Sequence, residues 1–536
     1  MHNIKYGVIF LILVLGLLLP ACATQTSPTA APTLTATPTP TATATPTTLT
    51  PQKGGILRFI TPATVTNLSY YPEMGPVNWG FVLPAVEKLF DYNPKHEIVG
   101  VLGESWEVSK DNKAMIFHLK KGIKFSDGSD FNAEVAKWNL EYSIKGGMPY
   151  GSNIVSMVVT DDYTLTLNLN TYNNQLIHNY GWQPMFSKAA FENAGGGDIE
   201  KSKTWARQNV VGTGPFLLKE WKRDVSLTWV KNPNYWQPGK PYLDGIEVSI
   251  IPDPVTASTM MQAKQADWFD RTTPRYEADL VSKGLVRQSG YGFPTVLWFN
   301  TVDSNSVWQN QKLREAVEYA LDKAAMAKTL GYGFYPPLTM IASPGEWGYD
   351  PNYKGRPYDP QKAKQLLAEA GYSNGVQVKL LAQTGAGGRN VDAEAVKGYL
   401  DAVGIQTTLD IADTGRFNSE MYKTGWSSIM LNPTGLDPNF LSTFVKHYSP
   451  DAMSNRISFK RSPELTALYL EGLYAVSDAD QKAITAKLVR QMADEAAVIP
   501  MWLASRAYVI QPYVHTTFLQ EQMTTCYWEN VWMDKH

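Results

Sequence analysis

Cysteine is nearly absent from this chain: 536 residues contain only Cys22 and Cys526. Histidine is scarce too, and the seven present are scattered, so a histidine-built metal site could form only by convergence in three dimensions. Neither sign of charge dominates. There are 48 Lys and Arg against 50 Asp and Glu, with no basic cluster, so nucleic acid is not an expected partner. Motifs of catalysis are missing as well. No Gly-x-Ser-x-Gly elbow occurs, and His96-Glu97 lacks the second histidine of a zinc helix. Gly212-Thr213-Gly214 runs into Pro215 instead of a helix, which reads as a tight turn and not a phosphate cradle. Gly385-Ala386-Gly387-Gly388 could cradle an anion but lacks the Lys and Ser/Thr of a P-loop. No catalytic residue, cofactor or metal ligand is assigned. Paired carboxylates remain open to a secreted hydrolase, since any large acidic set can supply them.

Long apolar runs are also lacking, with one informative exception. Residues 8–19 are almost all apolar and follow Lys5. That run is shorter than the ~20 residues a bilayer span needs, and it has the length of a signal-peptide core. It ends at Leu19-Pro20-Ala21-Cys22, which resembles a bacterial lipobox. The resemblance implies a signal peptide over 1–22 and a lipid on Cys22; the bland alternative is an ordinary signal peptide beside a chance cysteine. Residues 23–52 are rich in Thr, Pro and Ala, with nothing apolar enough to bury, and read as a semi-extended tether. With Cys22 carrying lipid, Cys526 has no partner, and core burial alone must hold the fold.

The body is long enough for two to three domains. Residues 376–380 alternate as a strand, 391–403 carry apolar residues at helical spacing, Gly404 closes that helix, and 405–411 alternate again. Strand, helix, strand in so short a stretch predicts a right-handed βαβ unit. Asp359-Pro360 opens a helix that Gly371 ends, and one amphipathic helix is expected over 312–330. The earlier part reads as more β-rich. Residues 163–169 alternate, Asp161-Asp162 is a hairpin turn, and Asn132 caps a helix to Ile144. Hairpins are expected over 114–125 around Lys121-Gly122 and over 216–231 around Arg223-Asp224.

A series of motifs then appears in a fixed order: Gly54-Gly55-Ile56-Leu57-Arg58, Glu87-Lys88-Leu89-Phe90, Leu102-Gly103-Glu104-Ser105-Trp106, Phe117-His118-Leu119-Lys120-Lys121-Gly122, Gly212-Thr213-Gly214-Pro215-Phe216, Asn232-Pro233-Asn234-Tyr235-Trp236 and Leu313-Arg314-Glu315-Ala316-Val317. Together they resemble the family 5 extracytoplasmic solute-binding proteins, the oligopeptide-, dipeptide- and nickel-binding receptors of ABC importers. The resemblance implies an α/β, bilobed periplasmic-binding-protein type II (Venus-flytrap) fold with an additional β-rich subdomain. Lobe I would be 53–90, 209–297 and 499–536; the inserted subdomain 91–208; and lobe II 298–498. Hinges would lie near 291–300 and 498–502. It also implies an extracytoplasmic monomer that traps a small solute and hands it to permease subunits, here lipid-anchored through Cys22. A sensor presenting ligand to a membrane receptor would share this fold.

The family's dipeptide binders hold the peptide amine with an acid shortly after a Gly-Trp pair, and the carboxylate with an Arg before a lobe II helix. Here Gly425-Trp426 is present, but the counted positions are Ile429 and Gln383. Losing both charges disfavours a free dipeptide, because an unpaired buried ion is costly. An oligosaccharide stacked on Trp426 and other cleft aromatics, a longer or blocked peptide, or an apolar solute fits better. A nickel chelate is a weaker option, with His447 the nearest histidine. Arg389 and Arg416 could supply a displaced anion anchor, or be ordinary salt-bridged surface arginines. Trp298, Trp347 and Tyr291 flank the family's cleft and could equally be core.

Overall fold

The computed structural model describes residues 50–74, 76–93, 97–148, 151–384, 389–435, 440–449, 456–516 and 526–535. Lys5, the 8–19 run, Cys22, the tether to residue 49, His96 and the 385–388 glycine loop lie outside the described residues, as do the side chains of Tyr291 and Arg389. Residues 51–536 form one compact unit.

Its backbone is a ten-stranded sheet. One side carries the βαβ unit: Val376–Gln383 and Ile405–Ala412 run parallel, joined by the helix Arg389–Ala402, with Val376 level with Ile405 and Gln383 with Ala412. Ile429–Pro433 lies parallel on the other flank of Val376–Gln383. The opposite side holds Ile56–Thr61, parallel to both Gly245–Ile250 and Trp268–Asp270, followed by the hairpin Phe216–Lys222 and Ser226–Lys231. Two long strands, Val286–Phe299 and Val498–Ile510, pair antiparallel between the sides and join them into one sheet. Their register slips between Ser289 and Gly292 and again at Thr295 and Val296, so the ladder is interrupted at mid-length.

Burial follows from the alternation. Along Ile429–Pro433, Ile429 and Leu431 pack under helices with Trp308, Leu313 and Leu400, while Met430 faces a second core containing Trp298, Phe444 and Tyr448. Leu57, Phe59, Trp268 and Trp528 anchor the core of the other side. A separate four-stranded sheet covers residues 103–169, and its core of Phe117, Leu140, Leu165 and Tyr180 includes the face of helix Ala133–Lys145. Asn132 caps that helix by accepting from Val135 N at 3.1 Å.

Two local expectations fail for visible reasons. The helix expected over 312–330 is two helices, Gln311–Ala320 and Lys323–Leu330. Asp322 caps the second, accepting from Ala325 N at 2.9 Å, and the chain turns there. The segment after Lys121-Gly122 does not pair back onto Ala114–Leu119, which pairs instead with Gly103–Val108 and Thr164–Leu169. Residues 123–131 close on themselves, with Phe131 N bonded to Ile123 O and Phe125 N to Ser129 O. The 216–231 and 161–162 turns form as expected, and Asp224 adopts φ 58°. Among the described residues no helix is long and apolar enough to cross a membrane.

Candidate ligand cleft

The strand directions define one place where ligand chemistry can gather. Trp268–Asp270 runs antiparallel to Val498–Ile510, with Asp270 level with Tyr508, so its carboxyl end advances toward the interrupted middle of the crossing pair. Ile429–Pro433 runs antiparallel to Val286–Phe299, with Pro433 level with Thr295, and advances toward the same middle from the other side. Gln288 is also level with Tyr508. The two sets of carboxyl ends therefore face each other across residues 288–295, about 20 Å of strand. In open parallel sheets, ligands bind outside the carboxyl ends of the strands.

One edge is formed by Gln383, Ala412 and Pro433. Helices Arg389–Ala402, Thr414–Ser419 and Phe440–His447 follow their strands, so their amino ends are turned toward this edge. Gln383 is half-buried there and donates from Nε2 to Thr414 Oγ1 at 2.8 Å. The opposite edge is formed by Thr61, Ile250 and Asp270. Asp270 is 0% exposed; its Oδ2 accepts from Thr61 Oγ1 and from Arg271 Nε, each at 3.0 Å. Among the described residues its Oδ1 has no hydrogen-bond partner, nor does Thr272 Oγ1. Arg271 sits at φ 59°, a left-handed conformation a side chain pays for, and such strain gathers at ligand sites.

Two of the aromatic candidates, Trp426 and Trp298, lie in a packed core instead. Trp426 precedes the Ile429–Pro433 strand, at its amino end, and is 1% exposed. Its N donates to Ser458 Oγ and its O accepts from Asn300 Nδ2, which fixes it inside the second core. Gly425 before it requires φ 84°. Ile429 is 0% exposed and level with Phe299 and Leu380. It lies some 13 Å of strand back from the edge, so it is a packing residue. Trp298 is buried against Tyr448, with ring centroids 4.8 Å apart, and Arg456 sits 5.2 Å above it. Trp347 is half-buried beneath Lys482 at 5.0 Å.

Arg416 is exposed and paired with Asp410 at 2.5 Å and Glu420 at 2.9 Å. The Asp410 hydrogen bond holds its guanidinium above the usual arginine range. Arg389 begins its helix at the Gln383 edge, and Tyr291 lies in the interrupted stretch of the crossing strands. The structure thus gathers Gln383, Arg389 and the Arg416 helix at one edge. Trp426, Ile429 and Trp298 stay in packed cores. Thr61 and Asp270 went unnoticed in the sequence. Their available signal was a carboxylate and an arginine following the apolar pair Trp268-Phe269. Among the described residues no cluster of His, Cys, Asp and Glu could hold a metal ion.

The sequence and the fold match known proteins. The family described as bacterial extracellular solute-binding proteins, family 5 Middle, matches residues 97–454. The glutathione-binding protein GsiB of Escherichia coli (strain K12) is 30% identical over 387 residues, covering 68% of this chain and 73% of that protein. GsiB of Shigella boydii serotype 4 aligns over the same shares. Among solved structures, DppA from Helicobacter pylori in complex with peptide STSA has a TM-score of 0.74 at 21% identity, covering 90% of this chain and 99% of that one. NikA from Brucella suis in complex with Fe(III)-EDTA has a TM-score of 0.76 at 22% identity, covering 90% and 100%.

Proposed function

The chain belongs to the family 5 bacterial extracellular solute-binding proteins, and from that membership we propose that it captures a peptide-like solute between the Asp270 and Gln383 edges. It is a type II periplasmic-binding-protein fold, serves an ABC importer as its extracytoplasmic solute-binding component, and is not an enzyme. The observation carrying the ligand reading is the pair of opposed strand edges, one of which offers a buried carboxylate oxygen without a partner. A peptide supplies the N–H donors such an oxygen needs, and its carbonyls suit the amide of Gln383 and the helix amino ends. Oligosaccharide stacking loses Trp426, whose ring is enclosed, and would fall to other cleft aromatics. GsiB is named for binding glutathione, a small peptide, which agrees with this class.

In this reading lobe I comprises 53–90, 209–297 and 499–536, lobe II 298–498, and the subdomain 91–208. Ligand contacts favour the closed arrangement that the permease recognises. Lipid on Cys22 and the 23–52 tether hold the receptor at the membrane, where acyl chains supply the affinity. Cys22→Ala is expected to move the protein from the membrane fraction to the soluble one; retention in the pellet contradicts the anchor. A thermal-shift screen with glutathione, dipeptides, tetrapeptides and oligosaccharides tests the ligand class. A peptide at 100 times its Kd stabilises the fold by about 2.7 kcal/mol. If only oligosaccharides raise the midpoint, the peptide reading fails.

A further inference from the structure

We propose that Asn174 is a closure-setting residue, which latches the segment following the four-stranded sheet onto the carboxyl end of the helix Pro463–Tyr474. The inference rests on the reading that the two cores move relative to each other about the crossing strands. Asn174 lies between Tyr172 and Leu176, in the core of the four-stranded sheet. Leu473 packs in the core of Trp298, Leu441 and Tyr469. Between them Asn174 N donates to Leu473 O at 2.9 Å, and Asn174 Nδ2 donates to Gly472 O at 2.7 Å and Ala475 O at 3.2 Å.

A helix leaves its last carbonyls without partners inside itself, and its carboxyl end carries partial negative charge. The helix caps itself only weakly here, through Ala475 N to Gly472 O at 3.3 Å. An amide from a distant segment supplies what is missing. That amide is preset. Gln175 Nε2 donates to Asn174 Oδ1 at 2.9 Å, and Gln175 N donates to Asn173 Oδ1 at 3.0 Å, a local Asx turn. Asn173, Asn174 and Gln175 are only 1–3% exposed, so this is a built junction and not a chance surface contact. Tyr172 lies beside Asp478, the first residue of the next helix, and extends the contact.

Donors and acceptors in these bonds both belong to the protein. Opening would hand each donor and carbonyl to water, which replaces most of their value. Such a latch therefore tilts the open–closed balance without freezing it, and the apparent affinity scales with the closed fraction. Asn174 acts on affinity through closure, without touching solute.

The test is a distance distribution from electron spin resonance on the full chain without ligand. Spin labels are attached through ketone-bearing residues placed at Val155 and Lys487, both exposed. The latch predicts two populations in the wild type, and in Asn174→Ala a rise of about three- to tenfold in the open-to-closed ratio. Asn174→Asp removes the donor and sets a carboxylate against the helix's negative end. It should open further at neutral pH and reclose near pH 4, where a carboxyl of ordinary acidity regains its proton. That pH reversal is a signature a merely structural role lacks, and it stands even if the alanine variant fails to fold. Two wild-type populations unchanged in both variants overturn the latch alone. One fixed distance in every sample overturns both the latch and the moving-lobe reading.

Discussion

Glu87 and Asp270 are both carboxylates held inside the protein, Glu87 half-buried at a cavity wall and Asp270 fully buried, and their surroundings differ. Glu87 Oε1 accepts from Tyr235 OH at 2.8 Å, while Oε2 accepts from Thr213 Oγ1 at 2.8 Å and Trp236 Nε1 at 2.7 Å. Burial pushes its pKa up to about 7, and those three donors oppose the rise. It lines a cavity of about 160 Å³ with Lys88, Lys120 and Glu529. Asp270 stands at a strand's carboxyl end with one oxygen bonded twice and the other not at all. A buried acid answered by neutral donors from distant segments ties those segments together. A buried acid answered on one side only, at an edge that faces another edge, is set for a partner that arrives later. The first is architecture; the second is, in the proposed reading, recognition.

The comparison can be broken from either side. The largest expected effect is at Trp426, which belongs with the packed residues. Trp426→Ala should cost about 3–5 kcal/mol of stability in urea denaturation, as large aromatic deletions do, and leave the affinity of the folded fraction unchanged. Lost affinity at unchanged stability would return Trp426 to the ligand site.

Next comes Glu87. Its folded pKa of about 7 stands above the ordinary 4.5, so the folded state holds the proton more tightly than the unfolded chain. That contribution is present below about pH 4.5 and is lost as pH rises to about 7, a change on the order of 3 kcal/mol. Glu87→Gln should remove this slope when its stability is compared with wild type at pH 5 and pH 8. Parallel profiles would mean Glu87 is not the buried acid described.

Asp270→Asn should weaken the screened peptide at least tenfold in calorimetry, about 1.4 kcal/mol, with a smaller stability change than Trp426→Ala. Unchanged affinity would make Asp270 a second Glu87. The smallest effect is expected at Arg416, an exposed ion pair. Arg416→Ala should leave both melting midpoint and affinity unchanged, since such pairs contribute little in water.

Much of the local structure could be read from the residues. Alternation marked Val376–Gln383 and Ile405–Ala412, and Pro360 with Gly371 bounded their neighbouring helix. What alternation does not encode is register between distant strands. The crossing pair joins Val286 to Ile510, over two hundred residues apart, and only that pairing reveals which strand ends face each other. Counting along the Gly425-Trp426 motif landed on Ile429, at the opposite end of its strand from the proposed edge. Gln383, by contrast, ends its strand in sequence as well as in space. Asp270 ends a strand too short to show a pattern.

Hydrogen–deuterium exchange with and without the peptide giving the largest thermal shift tests the central claim most directly. Protection is expected at residues 61–64, 270–273, 383–384 and 433–435, the two facing edges. Protection confined to Trp426 and Ile429, or to the Glu87 cavity, would contradict it.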